Sequence, residues 1–108
     1  MRIEKGKVIF EEGDSEKHLE LTEEQRNDLV VNNIKLVKYV VKKHFSNLWH
    51  FEYEDFCGFG MIGLVKAGKL YDPNMGTQFT SIAYKKIWGE IMEAIRGKSG
   101  MIGDRDSK

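Results

Sequence analysis

Cysteine, proline and long apolar runs are scarce in this sequence, which has one cysteine and one proline in 108 residues. A lone thiol, Cys57, cannot form an intramolecular disulfide, which is typical of a protein kept in a reducing cytoplasm, and we expect it to be a small buried side chain. The longest apolar run is far shorter than the roughly 20 residues of a membrane-spanning helix, and no signal-peptide pattern is present. The sequence therefore predicts a cytoplasmic protein without a membrane partner.

The residue patterns of enzymes and metal sites are also missing. There is no nucleophile paired with a base, no phosphate-binding Gly-x-x-x-x-Gly-Lys-Ser/Thr loop and no isolated carboxylate pair at an apolar position. The histidines, which are His18, His44 and His50, show no ligand-like spacing with Cys57 or with a carboxylate pair. We therefore expect a protein that is not an enzyme and that binds neither a metal nor a cofactor.

Charge is balanced over the whole chain but unevenly distributed along it. The sequence has 17 basic and 17 acidic residues and 41% apolar residues, as in a single soluble domain. Residues 1–28 hold five basic and nine acidic side chains, a net charge of about −4, whereas residues 29–108 hold twelve and eight, about +4. A polyanion could bind the second part, but an excess of this size does not by itself establish nucleic-acid binding.

Composition divides the chain into three parts. Residues 1–21 carry an isolated apolar triplet, Val8-Ile-Phe, in a strongly charged setting, which fits either a short strand or a mobile tail. One triplet buries too little to offset the ordering of twenty residues, so we expect an acidic, mobile N-terminal segment. Residues 22–97 form the predicted helical domain. The glycine-rich residues 98–108 are expected to be a linker or a tail.

Three main helices are expected within the domain, at about residues 22–44, 53–69 and 80–97, which gives an all-α, compact three-helix fold. The motif Thr22-Glu-Glu-Gln25 is a capping box that starts the first helix. The stretch Asp72-Pro-Asn-Met-Gly76 ends the second helix and reverses the chain, because proline disfavours a helical residue before it and glycine accepts a positive φ.

Helical spacing predicts which apolar side chains meet in the core. These are Leu29, Val30, Ile34, Leu36, Val37, Val40, Val41, Phe45, Phe56, Phe59, Ile62, Leu64 or Val65, Ala83, Ile87, Ile91 and Ala94 or Ile95. The second helix also contains Gly58, Gly60, Gly63 and Gly68, each of which costs a helix on the order of 1 kcal/mol relative to alanine. Either these glycines let the neighbouring helices approach closely, or they produce a local kink.

The order of the motifs in the second half is specific. An acidic helix start at Asp55 is followed by Gly60-x-x-Gly63-Leu64, by Tyr71-Asp72-Pro73 and by Phe79-Thr80-Ser81 at the start of the next helix. Together these residues resemble region 2 of the bacterial sigma-70 family, and the resemblance covers about Leu29 to Gly97. It implies a transcription initiation factor, either a sigma factor or a protein that supplies region 2 alone, which binds core RNA polymerase and opens promoter DNA.

The resemblance also implies where the polymerase binds. In this family the helix that starts at the position of Asp55 contacts the clamp coiled coil of the largest polymerase subunit through a polar series. That series is replaced here by Gly58, Phe59 and Met61. The implied contact is therefore an apolar surface with a single charged anchor, made by Asp55, Phe59, Met61 and Val65.

DNA contacts are implied mainly on the third helix, whose aromatic side chains in this family capture a base of the non-template strand of the minus-ten element. Phe79 matches one aromatic position, and Tyr84 and Trp88 occupy neighbouring positions. Gly89 and Met92 stand where the family helps to read the upstream base pair.

Basic residues complete the predicted DNA contacts. Lys38 and Lys42 belong to a lysine stripe on the first helix, which faces either solvent or phosphates. The full set of predicted DNA contacts is Lys38, Lys42, Phe79, Tyr84, Lys85, Lys86, Trp88, Gly89, Met92 and Arg96.

Two other hypotheses remain open. The replaced polar and aromatic positions favour a sigma-like regulatory protein of a phage or mobile element, which binds a protein partner without melting DNA. An enzyme is the weakest hypothesis, for want of a catalytic constellation. Beyond core RNA polymerase and promoter DNA, the resemblance allows a separate region 4-type protein or an anti-sigma factor as a further partner.

Overall fold

Four helices and a small hairpin make up the part of the chain that the structure describes, residues 1–45 and 53–100 of a computed structural model. Strands β1 (Arg2–Glu4) and β2 (Lys7–Ile9) precede helices α1 (Glu23–Val31), α2 (Ile34–His44), α3 (Tyr53–Leu70) and α4 (Phe79–Gly100), and 3-10 turns lie at Asp14–Glu16 and Pro73–Met75. The all-α prediction is confirmed. Within the two described ranges, no helix combines the length and the apolar character needed to cross a membrane.

The second and third predicted helices form close to their expected bounds. α3 ends one residue later than predicted, and α4 continues to Gly100, so the beginning of the predicted tail is helical. The rest of that tail, residues 101–108, lies outside the described residues, as does the link at residues 46–52, which contains His50.

The single helix predicted over residues 22–44 is wrong, because the structure breaks it at Asn33. Its start is confirmed, since Thr22 and Gln25 form both hydrogen bonds of a capping box, at 2.9 and 3.1 Å. At the break, the side-chain amide of Asn33 donates to the Leu29 carbonyl at 2.7 Å. An asparagine that bonds to a nearby carbonyl competes with the helical ladder, so α1 ends there and α2 begins.

The core lies where α3 and α4 pack against each other and against α1 and α2. Its buried helical side chains include Leu29, Val37, Val40, Val41, Phe45, Phe56, Leu64, Phe79, Ala83, Ile87 and Ile91. Ile34 and Ile62 were predicted in error, since they are 38% and 49% exposed. Ile34 begins the new helix after the break, and Ile62 lies about 200° around α3 from the buried Gly60. Cys57, which was expected to be buried, is partly exposed.

Three glycines of α3 allow close packing, which is the first of the two predicted alternatives. An added Cβ would lie 2.7 Å from an α2 side chain at Gly60 and 2.5 Å from an α1 side chain at Gly68. At Gly63 it would meet the backbone of Lys86 in α4. Gly58 has a different environment, because nothing lies within 4 Å of its Cβ position. The central helix therefore approaches each of the other three helices at a glycine.

Residues 1–21 differ from the expected mobile segment, because β1 and β2 form an antiparallel hairpin that packs on the helices. Its turn is Lys5-Gly6, whose φ angles of 50° and 82° are typical of a type I′ hairpin. Val8 is buried, and its backbone N and O both bond to the side-chain amide of Gln78, at 3.1 and 2.5 Å. The Gly6 carbonyl accepts from Asn33 at 3.0 Å. These partners lie far away in the sequence, so the apolar triplet alone does not reveal them.

The reversal between α3 and α4 forms at the predicted place, with Gly76 at a φ of 76°. Tyr71 is buried beside it and donates its hydroxyl hydrogen to the Thr77 carbonyl at 2.5 Å. Burial raises the pKa of Tyr71 to about 12. The Arg26 guanidinium of α1 donates to carbonyls at the end of α3, including that of Tyr71 at 2.9 Å, and so stabilises the end of that helix.

Candidate functional site

One exposed face of α3 is the candidate polymerase surface. Asp55, Ile62 and Val65 lie on it, because spacings of seven and three residues keep side chains on one side of a helix. Ile62 and Val65 are 49% and 40% exposed. Asp55 is also exposed and lies in the first turn of the helix, where a carboxylate is favoured by the helix dipole. The face therefore carries two exposed apolar side chains, with Asp55 at one end and the exposed Lys66 and Lys69 towards the other.

Phe59 and Met61, which were predicted for the same surface, lie partly buried against the core. Ile62, which was predicted as a core residue, occupies the exposed position between Asp55 and Val65. The sequence contained a signal that Ile62 is exposed. Ile62 lies seven residues after Asp55, so the two side chains are on the same side of the helix, and an acidic side chain normally faces solvent.

A groove on α4 brings together Lys85, Lys86 and Gly89 from the predicted DNA contacts. It has a volume of about 440 Å³, and its other lining residues are Ile82, Glu90 and Glu93. Glu90 pairs with Lys66 of α3 at 2.5 Å. The groove thus has mixed charge, because Glu90 and Glu93, which were not among the predicted contacts, line it together with the two lysines.

Tyr84 lies outside the residues that line this groove and contacts α2 instead. Its hydroxyl bonds to Nε2 of His44, and the two rings meet edge to face with centroids 5.8 Å apart. The Tyr39 ring lies 6.5 Å from the Tyr84 ring. Successive side chains of a helix are about 100° apart, so Tyr84 and Lys85 point to different sides of α4.

The remaining predicted contacts of α4 have different environments. Trp88 is 41% exposed, and Arg96 is exposed with its guanidinium 3.4 Å from an acidic neighbour. Met92 is partly buried against the core. Phe79 is fully buried, with its ring 5.5 Å from the ring of Tyr71, so it belongs to the core and presents no surface to a base.

The lysine stripe of α2 is exposed, as expected for either of its two interpretations. Lys38 and Lys42 lie on it together with Lys35 and Lys43, and α2 contains no acidic residue. Tyr39, which is 51% exposed, lies among these lysines. Tyr39 is absent from the predicted contacts, although a tyrosine inside a run of lysines is a recognisable signal.

A shifted pKa also occurs at Tyr53, a residue that none of the predicted sites includes. At the start of α3, partial desolvation and a hydrogen bond with Cys57 raise the pKa of Tyr53. Across residues 1–45 and 53–100, no group of three His, Cys, Asp or Glu side chains is arranged to hold a metal ion.

An all-α domain with an apolar helix face and a separate basic, aromatic surface is typical of proteins that bind other macromolecules. The chain is 38% identical over 87 residues to the RNA polymerase sigma-28 factor of Bacillus thuringiensis subsp. kurstaki, a match that covers 77% of this chain and 36% of that protein. It is 36% identical over 83 residues to the RNA polymerase sigma-K factor of Bacillus subtilis (strain 168), covering 73% of this chain and 28% of that protein.

These similarities support a relationship between the chain and the sigma-70 family. The chain spans between 28% and 36% of the length of these curated relatives. No protein-family model matches it, and no solved structure matches it.

Proposed function

We propose that this chain acts in transcription initiation as a sigma-type factor, which binds core RNA polymerase and the minus-ten region of promoter DNA. The observation that carries the proposal is the similarity to two sigma factors over 73% to 77% of the chain. The succession of α3, a proline-containing turn and α4 is consistent with the resemblance to region 2.

The proposed polymerase contact is the exposed face of α3. Ile62 and Val65 supply an apolar surface and Asp55 a charged anchor, with the edges of Phe59 and Met61 beside them. A few buried apolar side chains carry most of the energy of a protein interface, so this face suits a contact with the clamp coiled coil of the largest subunit.

The proposed DNA contact uses the exposed surface of α4 and the lysines of α2. Lys85, Lys86 and Arg96 would neutralise phosphates of the non-template strand, and Lys38 and Lys42 would extend this contact. Tyr84 and Trp88 are the aromatic side chains that α4 offers to an unstacked base, and Gly89 and Met92 flank them on the helix.

Co-purification with core RNA polymerase tests the proposal. The wild-type chain should bind, and Asp55→Ala with Ile62→Ala should weaken binding by about tenfold or more, since interface anchors contribute over 1 kcal/mol each. Glu24→Ala with Val31→Ala is a matched control, because it removes an exposed acid and an exposed apolar residue from α1. A wild-type chain that does not bind core polymerase would overturn the proposal.

A second candidate is a sigma-like regulator of a phage or mobile element that binds a protein partner without melting DNA. The observations that favour it are the burial of Phe79 and the two glutamates in the α4 groove, since carboxylates repel phosphates. Such a protein would bind core polymerase, a region 4-type protein or an anti-sigma factor and yet leave promoter DNA double-stranded. Permanganate reactivity of promoter thymines in the presence of core polymerase distinguishes the two candidates.

A further inference from the structure

The face of α2 around Tyr39 combines an exposed aromatic ring with lysines, whereas a contact with phosphates needs only the lysines. Lys35 lies four residues before Tyr39, and Lys42 and Lys43 lie three and four residues after it. Residues at these spacings are neighbours on a helix. All three lysines are exposed, and half of the tyrosine surface is exposed as well, at 51%. The tyrosine is therefore an apolar ring surrounded by positive charge.

The Tyr39 ring is held in place by its neighbours. The ammonium of Lys43 lies over the ring, 5.7 Å from its centroid and within range of a cation–π interaction, so a base that stacks on this side of the ring displaces that ammonium. The Tyr84 ring of α4 lies 6.5 Å away at an interplanar angle of 56°, and Tyr84 itself is bonded to His44. A ring positioned in advance loses little freedom when a ligand covers it, and this favours binding.

We infer that the Tyr39 face of α2 binds single-stranded nucleic acid, with a base stacked on Tyr39 and phosphates neutralised by Lys35 and Lys42. Positive charge without any carboxylate on the helix is complementary to phosphates, and an exposed ring offers a base its stacking surface. Duplex DNA has no unstacked base for the ring, and an acidic protein would use the lysines without it. The inference rests on the proposed promoter-DNA function, in which Lys42 already contacts phosphates, and it adds a base-stacking site at Tyr39 and a phosphate contact at Lys35.

Fluorescence anisotropy with a labelled single strand of about twelve deoxynucleotides, measured with the full chain at several salt concentrations, tests the inference. Tyr39→Ala should weaken binding by about 5- to 100-fold without changing the salt dependence, whereas Tyr39→Phe, which keeps the ring, should bind within about twofold of wild type. Lys35→Ala with Lys42→Ala should lower the slope of log affinity against log salt by up to about 1.4. Lys7→Ala with Lys17→Ala removes equal charge outside this face and should leave the slope unchanged.

A direct readout of the contact comes from Tyr39→Trp. Its fluorescence should be quenched by the oligonucleotide more strongly than that of the wild-type chain, because a base then stacks on the indole. This measurement does not depend on how well Tyr39→Ala folds. Absence of additional quenching would overturn the inference.

The outcomes separate this inference from the proposed function. If the wild-type chain binds no single strand, either alone or with core polymerase, the inference and the proposed DNA function both fail. If the wild type binds and Tyr39→Ala binds equally well, the inference fails while the proposed function stands. If polyglutamate binds as tightly as the oligonucleotide at the same salt, the face is a docking surface for an acidic protein and the inference is wrong.

Discussion

Gly63 of α3 lies against the backbone of Lys86 in α4, so closely that a Cβ at position 63 would meet the Lys86 carbonyl oxygen. The backbones of two helices can approach this closely only where one of the helices has no side chain at the crossing. Ile62 precedes Gly63 and Lys85 precedes Lys86, so this crossing also sets the relative position of the candidate polymerase and DNA surfaces.

Gly63→Ala should destabilise the protein by about 1–3 kcal/mol, because a backbone cannot yield to an added methyl group as a flexible side chain can. Gly58→Ala is the matched control on the same helix, where nothing lies within 4 Å of the Cβ position. It should leave stability unchanged or raise it by about 0.5–1 kcal/mol through helix propensity. Urea unfolding of both variants measures the difference, and equal effects would contradict the close crossing.

Ile87→Asp and Ile62→Asp should differ strongly in their effect on stability, although helical spacing predicted both residues to be in the core. Ile87 is fully buried, and an unpaired carboxylate there should unfold a domain whose total stability is about 5–10 kcal/mol. Ile62 is 49% exposed, so its replacement should alter stability by about 0.5 kcal/mol or less. Circular dichroism during thermal unfolding checks both, and a cooperatively folded Ile87→Asp variant would show that the buried face of α4 is assigned wrongly.

Gln78→Glu should release the hairpin from the helices. The carboxylate can still accept from the Val8 amide, but it cannot donate to the Val8 carbonyl as the Gln78 amide does. A buried carbonyl left without a donor costs about 1–3 kcal/mol. Hydrogen exchange at the Val8 amide should accelerate, while amides in the middle of α3 should keep their protection. Unchanged exchange at Val8 would mean that the hairpin packs without this pairing.

Asp14 should make the stability of the N-terminal segment depend on pH. Hydrogen bonds from the Glu11 amide at 2.6 Å and from the Met1 amino group hold the pKa of this carboxyl below its ordinary value of 3.8. Because the folded-state pKa is lowered, the carboxylate stabilises the fold above about pH 4, and this contribution is lost as the pH falls through the lowered pKa. Asp14→Asn should therefore melt at a lower temperature than wild type at pH 7, and the two melting temperatures should converge below pH 4. A difference that does not depend on pH would exclude this role of the charge.

Local signals in the sequence predicted much of the fold. The capping box at Thr22, the reversal at Pro73 and the positions of α3 and α4 depend on neighbouring residues, and all are present in the structure. What the sequence did not reveal depends on distant partners or on side-chain direction. The bond between Asn33 and Gly6 spans 27 residues, and that between Gln78 and Val8 spans 70.

The candidate sites show the same division between local and distant information. The exposed lysines of α2 could be identified from their spacing alone. The contact between Tyr84 and His44 could not, because it depends on how α4 packs beside α2. Burial of Phe79 was missed for the same reason, since its neighbour Tyr71 lies across the turn.

Competition for core RNA polymerase tests the central claim most directly. The fluorescently labelled chain is titrated with purified core polymerase of Bacillus subtilis, and the sigma-K factor of that organism is then added as a competitor. A sigma-type factor that binds through the exposed face of α3 should show saturable binding and should be displaced as the competitor concentration rises. A chain that fails to bind, or that remains bound when sigma-K saturates the polymerase, would contradict the account.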